Sequence, residues 1–135
     1  MSGEQVAVSS GPLVYLAGPI TGVKDYQVSF RSAEKAVSAL GFQVTNPARN
    51  KRPSVAASWQ DWMRLSLQQV SEARIVVLLP EWEHSKGAVF EKDTAERLGI
   101  PTYTVAVLIE QIIRGDTPDR LAQQTFTNPY AQESN

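Results

Sequence analysis

The chain has 135 residues, 42% of them apolar and 20% charged, which fits one globular domain and leaves little room for a second. Its 13 Lys and Arg against 14 Asp and Glu give a formal net charge of −1, which excludes the strong basic field of a dedicated binder of nucleic acid polymers. The absence of cysteine and the single histidine, His84, exclude disulfides, thiolate nucleophiles and metal sites built from cysteine or several histidines.

The first half of the chain predicts a strand, a helix and a second strand. The apolar run at 13–17 (LVYLA), closed by a Gly-Pro turn, is typical of a buried strand. Residues 42–45 predict the second strand, which is followed by a basic loop at 48–57. Between the strands, apolar residues recur at helical spacing and stop at a glycine typical of helix C-termini. They are Phe30, Ala33, Val37 and Leu40, followed by Gly41.

The second half predicts two further strands with helices between them. Ser58 and Asp61 have the spacing of a capping box at the start of the second helix. The run at 75–79 (IVVLL) is apolar without alternation, which predicts a strand buried on both faces. A third helix at 87–98, a fourth strand at 102–107 and a short helix at 108–114 follow. We expect one domain at 11–115, a flexible N-terminus at 1–10 and a loose tail at 116–135.

This alternation of strands and helices predicts an α/β fold with a parallel sheet of four to five strands and helices on both faces. Ligands bind such sheets beyond the carboxyl ends of the strands, which directs attention to residues 17–23, 46–57 and 80–91. The apolar runs, about seven residues at most, are far shorter than the ~20 of a membrane helix. The first ten residues do not resemble a signal peptide, so we expect a cytoplasmic protein without a membrane partner.

The third helix carries one charged side chain on its inward stripe. At about 100° per residue, Glu91 shares that stripe with Ala88, Ala95 and Leu98. Burying a lone carboxylate is costly unless something compensates it, and this one lies at the ligand end of the sheet. Glu91 is therefore a candidate catalytic group, although a structural carboxylate stabilised by the helix dipole and loop amides is the alternative.

Two glycine-containing loops could approach an anionic ligand. Ser85 and Gly87 stand at the start of the third helix, where free backbone N–H groups can hold a phosphate, but Ser85 could equally be an ordinary N-cap. Gly18 follows the first strand and would let a ligand approach the backbone closely. Tyr15, within that strand, fits either the core or the site, and His84 fits a surface histidine better than a general acid.

Three segments resemble the nucleoside 2-deoxyribosyltransferase superfamily. They are residues 15–22 (YLAGPITG), Asn46-Pro47, and residues 79–88 (LPEWEHSKGA) followed by Glu91. The resemblance covers roughly residues 13 to 107. It implies a flavodoxin-like three-layer fold, a homodimer or larger homo-oligomer, no cofactor or metal, and cleavage or transfer at an N-glycosidic bond through a carboxylate nucleophile.

The resemblance also assigns roles to residues. The nucleophilic glutamate, four residues after a loop glycine, maps onto Glu91, with Tyr15 as its orienting group. Ser85 matches the serine of relatives that cleave nucleoside 5′-monophosphates, which implies a 5′-phosphorylated ligand. Apart from the resemblance, the aromatic face of Trp82 in the same loop could stack on a base. The candidate substrate contacts are Gly18, Pro19, Ile20, Thr21, Gly22, Asn46, Trp82, Ser85 and Gly87.

The sequence departs from that family at two positions. Ser66 stands on the inward face of the second helix where the family has an aspartate that assists the leaving base, and Arg74 replaces a second aspartate. A serine does not perform acid–base work at neutral pH without a partner. A nucleotide-binding module with weak or absent catalysis is therefore the second hypothesis. A structural subunit that pairs through Trp59 and Trp62 is the third.

Overall fold

The computed structural model describes residues 10–124, and its centre is a four-stranded, all-parallel sheet. The strands are β1 (Leu13–Ala17), β2 (Gln43–Thr45), β3 (Ile75–Leu78) and β4 (Thr102–Thr104), in the spatial order β2-β1-β3-β4. In the register, Tyr15 pairs with Thr45 on one side and with Val76 on the other. This order places the topological switch point between β1 and β3, where ligands bind in folds of this kind.

Between residues 10 and 124, five α-helices cover the two faces of the sheet. They are α1 (Tyr26–Ala39), α2 (Trp59–Glu72), α3 (Lys86–Arg97), α4 (Val105–Ile113) and α5 (Pro118–Gln123). Helices α1, α4 and α5 bury apolar side chains against one face, and α2 and α3 bury theirs against the other. The expected three-layer α/β architecture of the flavodoxin-like kind is therefore confirmed.

Two helix ends follow the sequence signals that predict them. At the start of α2, Ser58 Oγ accepts from the Asp61 backbone N–H at 3.1 Å, and Asp61 Oδ2 accepts from the Ser58 N–H at 3.0 Å. This reciprocal pair satisfies two N–H groups that the first helical turn leaves without partners. After α1, Gly41 has φ +105°, a conformation that side-chain-bearing residues rarely adopt.

The fourth strand is shorter than its sequence predicts. The sequence predicts a strand over residues 102–107, but β4 ends at Thr104 and α4 begins at Val105. The Thr104 hydroxyl accepts from the Val107 N–H at 3.1 Å and so caps the helix directly at the end of β4. In α3, Leu98 lies beyond the last helical residue and is 55% exposed, so it does not share the buried stripe of Glu91.

The tail expected to be loose from residue 116 differs in its first part. Helix α5 begins with Pro118 and is capped by Thr117, whose hydroxyl accepts from the Arg120 N–H at 3.2 Å. Leu121 is fully buried against the face covered by α1 and α4. Ala122 is buried there as well, so two apolar side chains attach this short helix to the domain. The expectations for 1–9 and 125–135 lie outside the described residues.

Candidate functional site

Three candidate catalytic side chains meet between the sheet and the helices α2 and α3. Tyr15 lies in the middle of β1, Ser66 in the middle of α2, and Glu91 in the second turn of α3. All three are buried, with Glu91 only 7% exposed and Ser66 only 9%. Within residues 10–124, Glu91 is the one buried residue of the charged types, as its place on the apolar stripe of α3 predicts.

A short hydrogen bond joins two members of this group, which we call the Tyr15–Ser66–Glu91 cluster. The Tyr15 hydroxyl donates to Glu91 Oε2 at 2.8 Å. Ser66 Oγ donates to the Trp62 carbonyl oxygen one turn earlier at 3.0 Å, and it lies close enough to Tyr15 and Glu91 to lower the pKa of each. Because a serine hydroxyl has one proton, it serves one of its acceptors at a time.

Burial dominates the electrostatics of the cluster. It raises the pKa of Glu91 from 4.5 to about 7, while the hydrogen bonds from Tyr15 and Ser66 oppose that rise. Burial, and then the negative charge of Glu91, raise the pKa of Tyr15 well above 10.0. Tyr15 therefore remains a protonated donor, and Glu91 changes charge close to neutral pH. A carboxylate with such a pKa can act as a nucleophile or as a proton carrier.

The structure argues against a purely dipole-stabilised carboxylate at this position. Glu91 is the sixth residue of α3, beyond the first turn, where the helix dipole acts most strongly. Its hydrogen-bond partners are the hydroxyls of Tyr15 and Ser66. Tyr15 is likewise more than a packing residue, because its hydroxyl bonds the carboxylate while its ring lies in the core.

The loop before α3 and the first turn of that helix contain three of the predicted contacts. Ser85 Oγ accepts from the Ala88 N–H at 3.1 Å, which is the ordinary geometry of an N-cap. At Gly87, an added Cβ would lie 3.4 Å from Met63 Sδ, an ordinary contact distance, so the packing of α2 against α3 does not require glycine here. Trp82 is half-buried and packs against the apolar cluster that contains Tyr15 and Ala88.

The loop after β1 divides into a packed and an exposed part. Gly18 is buried, and a Cβ there would lie only 2.8 Å from Leu79 Cβ, so the packing of the strand ends requires glycine. Pro19 and Ile20 are half-buried, whereas Thr21 and Gly22 are exposed. The exposed tip is therefore the part of this loop that is available to a ligand.

Asn46 and Arg74 have other surroundings. The Asn46 carboxamide accepts from the Ala48 N–H and donates to Glu34 Oε1 on α1, both at 2.9 Å. Its polar atoms thus stabilise the turn after β2 rather than facing the Tyr15–Ser66–Glu91 cluster. Arg74 is exposed before β3 begins, at the amino edge of the sheet and opposite the carboxyl edge where ligands bind.

An aromatic pair, of which the sequence indicated only Trp59, lies beside this site. The rings of Trp59 and Phe90 lie 6.4 Å apart, and Phe90 is 45% exposed. Lys86 Nζ lies 4.3 Å from the centre of the Trp59 ring, and Lys92 Nζ lies 5.4 Å from that of Trp82. The i, i+4 spacing of Lys86 and Phe90 on α3 is the signal that could have placed both near one partner.

Other types of site have little support in the same part of the chain. Among residues 10–124, no group of three or more His, Asp or Glu side chains is placed to hold a metal ion. None of the helices described has the length and apolar character needed to cross a membrane. A depression of about 390 Å³ lies on α1, lined by Arg31, Glu34, Lys35, Ser38, Ala39 and Arg49, away from the Tyr15–Ser66–Glu91 cluster.

Comparison with known families adds one finding. The profile of a domain of unknown function, DUF4406, matches residues 12–104, which run from β1 through β4 and include Tyr15, Ser66 and Glu91. No curated protein matches the sequence significantly. Because the matched range covers more than half of the 135 residues, the chain belongs to the DUF4406 family.

Proposed function

We propose that this protein cleaves or transfers the N-glycosidic bond of a nucleoside or deoxynucleoside 5′-monophosphate, with Glu91 as the nucleophile. The observation that carries the proposal is the buried Glu91 carboxylate, bonded by the Tyr15 hydroxyl at 2.8 Å beside the β1/β3 switch point. The likeness of the loops at 15–22 and 79–88 to the nucleoside 2-deoxyribosyltransferase superfamily supports the class of reaction.

The chemistry follows from the two oxygens of Glu91. Tyr15 binds Oε2, which leaves Oε1 to attack C1′ of the sugar. The C1′–N bond breaks as the ester forms, and its electron pair goes to the departing base. Water then attacks C1′ in hydrolysis, or a second base does so in transfer, and the carboxylate is restored.

The 5′-phosphate would lie against the start of α3 and the tip of the β1 loop. Helix α3 has 12 residues, and its first-turn N–H groups form the kind of end that binds anions. Lys86 adds a positive charge there, and the exposed Thr21 hydroxyl can donate to a phosphate oxygen. This supports a phosphorylated ligand, as the resemblance at Ser85 implies.

A second candidate function is nucleotide binding with weak or absent catalysis. The observation that favours it is Ser66, because a hydroxyl faces Glu91 from α2 where a carboxyl group could have protonated the base. Either function is compatible with a cytoplasmic homodimer or larger homo-oligomer. The partly exposed rings of Trp59 and Phe90 are candidates for the contact between copies.

The test is to incubate the protein with a panel of nucleoside and deoxynucleoside 5′-monophosphates and to measure free base by chromatography. The Glu91→Gln variant preserves side-chain volume and an acceptor for Tyr15, so it isolates the charge. We expect release to fall by at least about 10³-fold in this variant. In the wild type, release should rise with pH around an inflection near 7, because the attacking carboxylate must be ionised.

Two results would change the assignment. Base release that survives Glu91→Gln would show that Glu91 is not the nucleophile. Measurable nucleotide binding with no release from any substrate would favour the second candidate function.

A further inference from the structure

The groups that face Glu91 are poor proton donors for a departing base. From β1, the Tyr15 hydroxyl already gives its proton to Glu91, and its pKa lies well above 10.0. From α2, the Ser66 hydroxyl bonds the Trp62 carbonyl oxygen at 3.0 Å. Asn46 is the remaining buried polar residue between residues 10 and 124, and its carboxamide is bonded to Glu34 and Ala48.

The rim of the site carries positive charge and aromatic rings. Lys86 lies over the Trp59 ring, and Lys92 lies near the Trp82 ring. The Lys86 ammonium suits a phosphate, whereas Lys92 is paired with Glu96 on the same helix. Tryptophan faces attract cations, as both of these contacts show. His84 is 77% exposed and lies 3.7 Å from Glu81 Oε1, so it pairs on the surface rather than with the Tyr15–Ser66–Glu91 cluster.

A departing base needs a proton only if it would otherwise leave as an anion. A positioned general acid accelerates that step by roughly 10²–10⁴-fold. A base that is positively charged in its glycosidic ring leaves instead as a neutral molecule and needs no proton. A site with a buried carboxylate and two neutral hydroxyls is therefore matched to the second kind of base.

We propose, on the basis of the function proposed above, that the substrates are nucleotides with a cationic base, such as a pyridinium or an N7-alkylated purine, and that the lack of an acidic side chain at position 66, where Ser66 stands, sets this specificity. Glu91 Oε1 forms a bond to C1′ while the C1′–N bond breaks. The electron pair of that bond cancels the charge of the ring. Water then hydrolyses the ester, and one proton per turnover passes to solvent.

The matched pair of probes is 7-methylguanosine 5′-monophosphate and guanosine 5′-monophosphate, which differ by one methyl group and one positive charge. Nicotinamide mononucleotide is the pyridinium probe. We expect release from the two cationic probes to be faster than from guanosine monophosphate by on the order of 10²–10⁴-fold. Base release should be lost in Glu91→Gln. In the wild type, a pH-stat should record the release of one proton per turnover.

Substitutions at Ser66 test its part in this preference. Ser66→Asp places a carboxyl group toward the departing base, so cleavage of guanosine monophosphate should rise and the ratio between probes should shrink at least about tenfold. In Ser66→Ala the rates should fall together and the ratio should persist, because neither side chain supplies a proton. Circular dichroism verifies that each variant folds. The ratio of release from cationic and neutral probes in the wild type tests the proposal independently of the variants.

The outcomes separate the two proposals. Comparable release from cationic and neutral probes, abolished by Glu91→Gln, would overturn the preference for a cationic base and leave the glycosidic function intact. If the ratio of release rates collapsed in Ser66→Ala, the Ser66 hydroxyl itself would set the preference. This would overturn the role proposed for the lack of an acid at that position. No release from any probe would overturn the glycosidic function, and the preference with it.

Discussion

The two faces of the sheet bury different kinds of side chain. The face under α1, α4 and α5 is packed with large apolar side chains. The face under α2 and α3 holds mainly smaller apolar residues together with Tyr15, Ser66 and Glu91. Strand β1 shows the division within one segment, since Val14 and Leu16 face the first side and Tyr15 and Ala17 the second.

This difference separates stability from chemistry. Large apolar side chains on the first face gain free energy from burial without needing a polar partner. On the second face, the small residues leave room for a carboxylate whose burial is unfavourable and is offset only in part by two hydroxyls. Functional sites commonly contain groups that lower the stability of the fold. The comparison can be tested by substitutions that treat the two faces separately.

The largest stability effect is expected on the apolar face. Phe30 is 1% exposed, so Phe30→Ala should lower the free energy of unfolding by about 3–5 kcal/mol. Phe90→Ala, on the outer side of α3 where the ring is 45% exposed, should cost about 1 kcal/mol or less. Urea denaturation measures both. Equal losses would contradict the division between the faces.

The next largest effect is a pH dependence that arises from Glu91. Its pKa is about 7 in the folded protein against 4.5 without burial, so between these values the folded state binds the proton more tightly than the unfolded state. Stability from this group should therefore fall as pH rises through that window, by roughly 3 kcal/mol in full, and then level off.

Glu91→Gln is the control for that pH dependence. Comparing the free energies of unfolding of the two proteins at pH 5 and pH 8 removes the contribution of all other titrating groups. The decline should be smaller in the variant by the amount that Glu91 contributes. An identical decline in both proteins would show that burial does not perturb this carboxyl group.

A third comparison uses two glycines that differ in the space around them. Gly18→Ala would force a Cβ to within 2.8 Å of Leu79 Cβ, and we expect a loss of about 1–3 kcal/mol. Gly87→Ala meets only the flexible Met63 Sδ at 3.4 Å and lies in a helix. It should be neutral or stabilising by up to about 1 kcal/mol. Thermal unfolding gives the sign of each change, and opposite signs are the expected result.

The smallest stability effect is expected at Ser66. Its hydroxyl bonds a carbonyl of its own helix, so Ser66→Ala should cost about 1 kcal/mol or less. Because that hydroxyl lowers the pKa of Glu91, its loss should move the pH inflection of base release upward. Ser71→Ala is the matched control, since Ser71 is exposed on the same helix and bonds the Gln68 carbonyl oxygen at 2.7 Å. An unmoved inflection in Ser66→Ala would argue against the contact.

The parts predicted from sequence are those with a strong local signal. A charge on an apolar helical stripe identified Glu91, and the Ser58–Asp61 spacing identified a helix start. The contact between Tyr15 and Glu91 joins residues 76 apart in sequence, so it depends on a strand order that a repeating strand–helix pattern leaves open. At Val105, β-branched composition favoured a strand, but the cap at Thr104 and the packing of α4 outweigh it.

The burial of α5 has a consequence for where this domain ends. The DUF4406 match stops at residue 104, yet Leu108 and Leu121 are fully buried in the apolar face, and the Tyr103 hydroxyl donates to the Leu121 carbonyl oxygen at 2.9 Å. A polypeptide cut at the end of the match would leave that face open to water. The region that the family profile matches therefore ends inside the folded domain rather than at its edge.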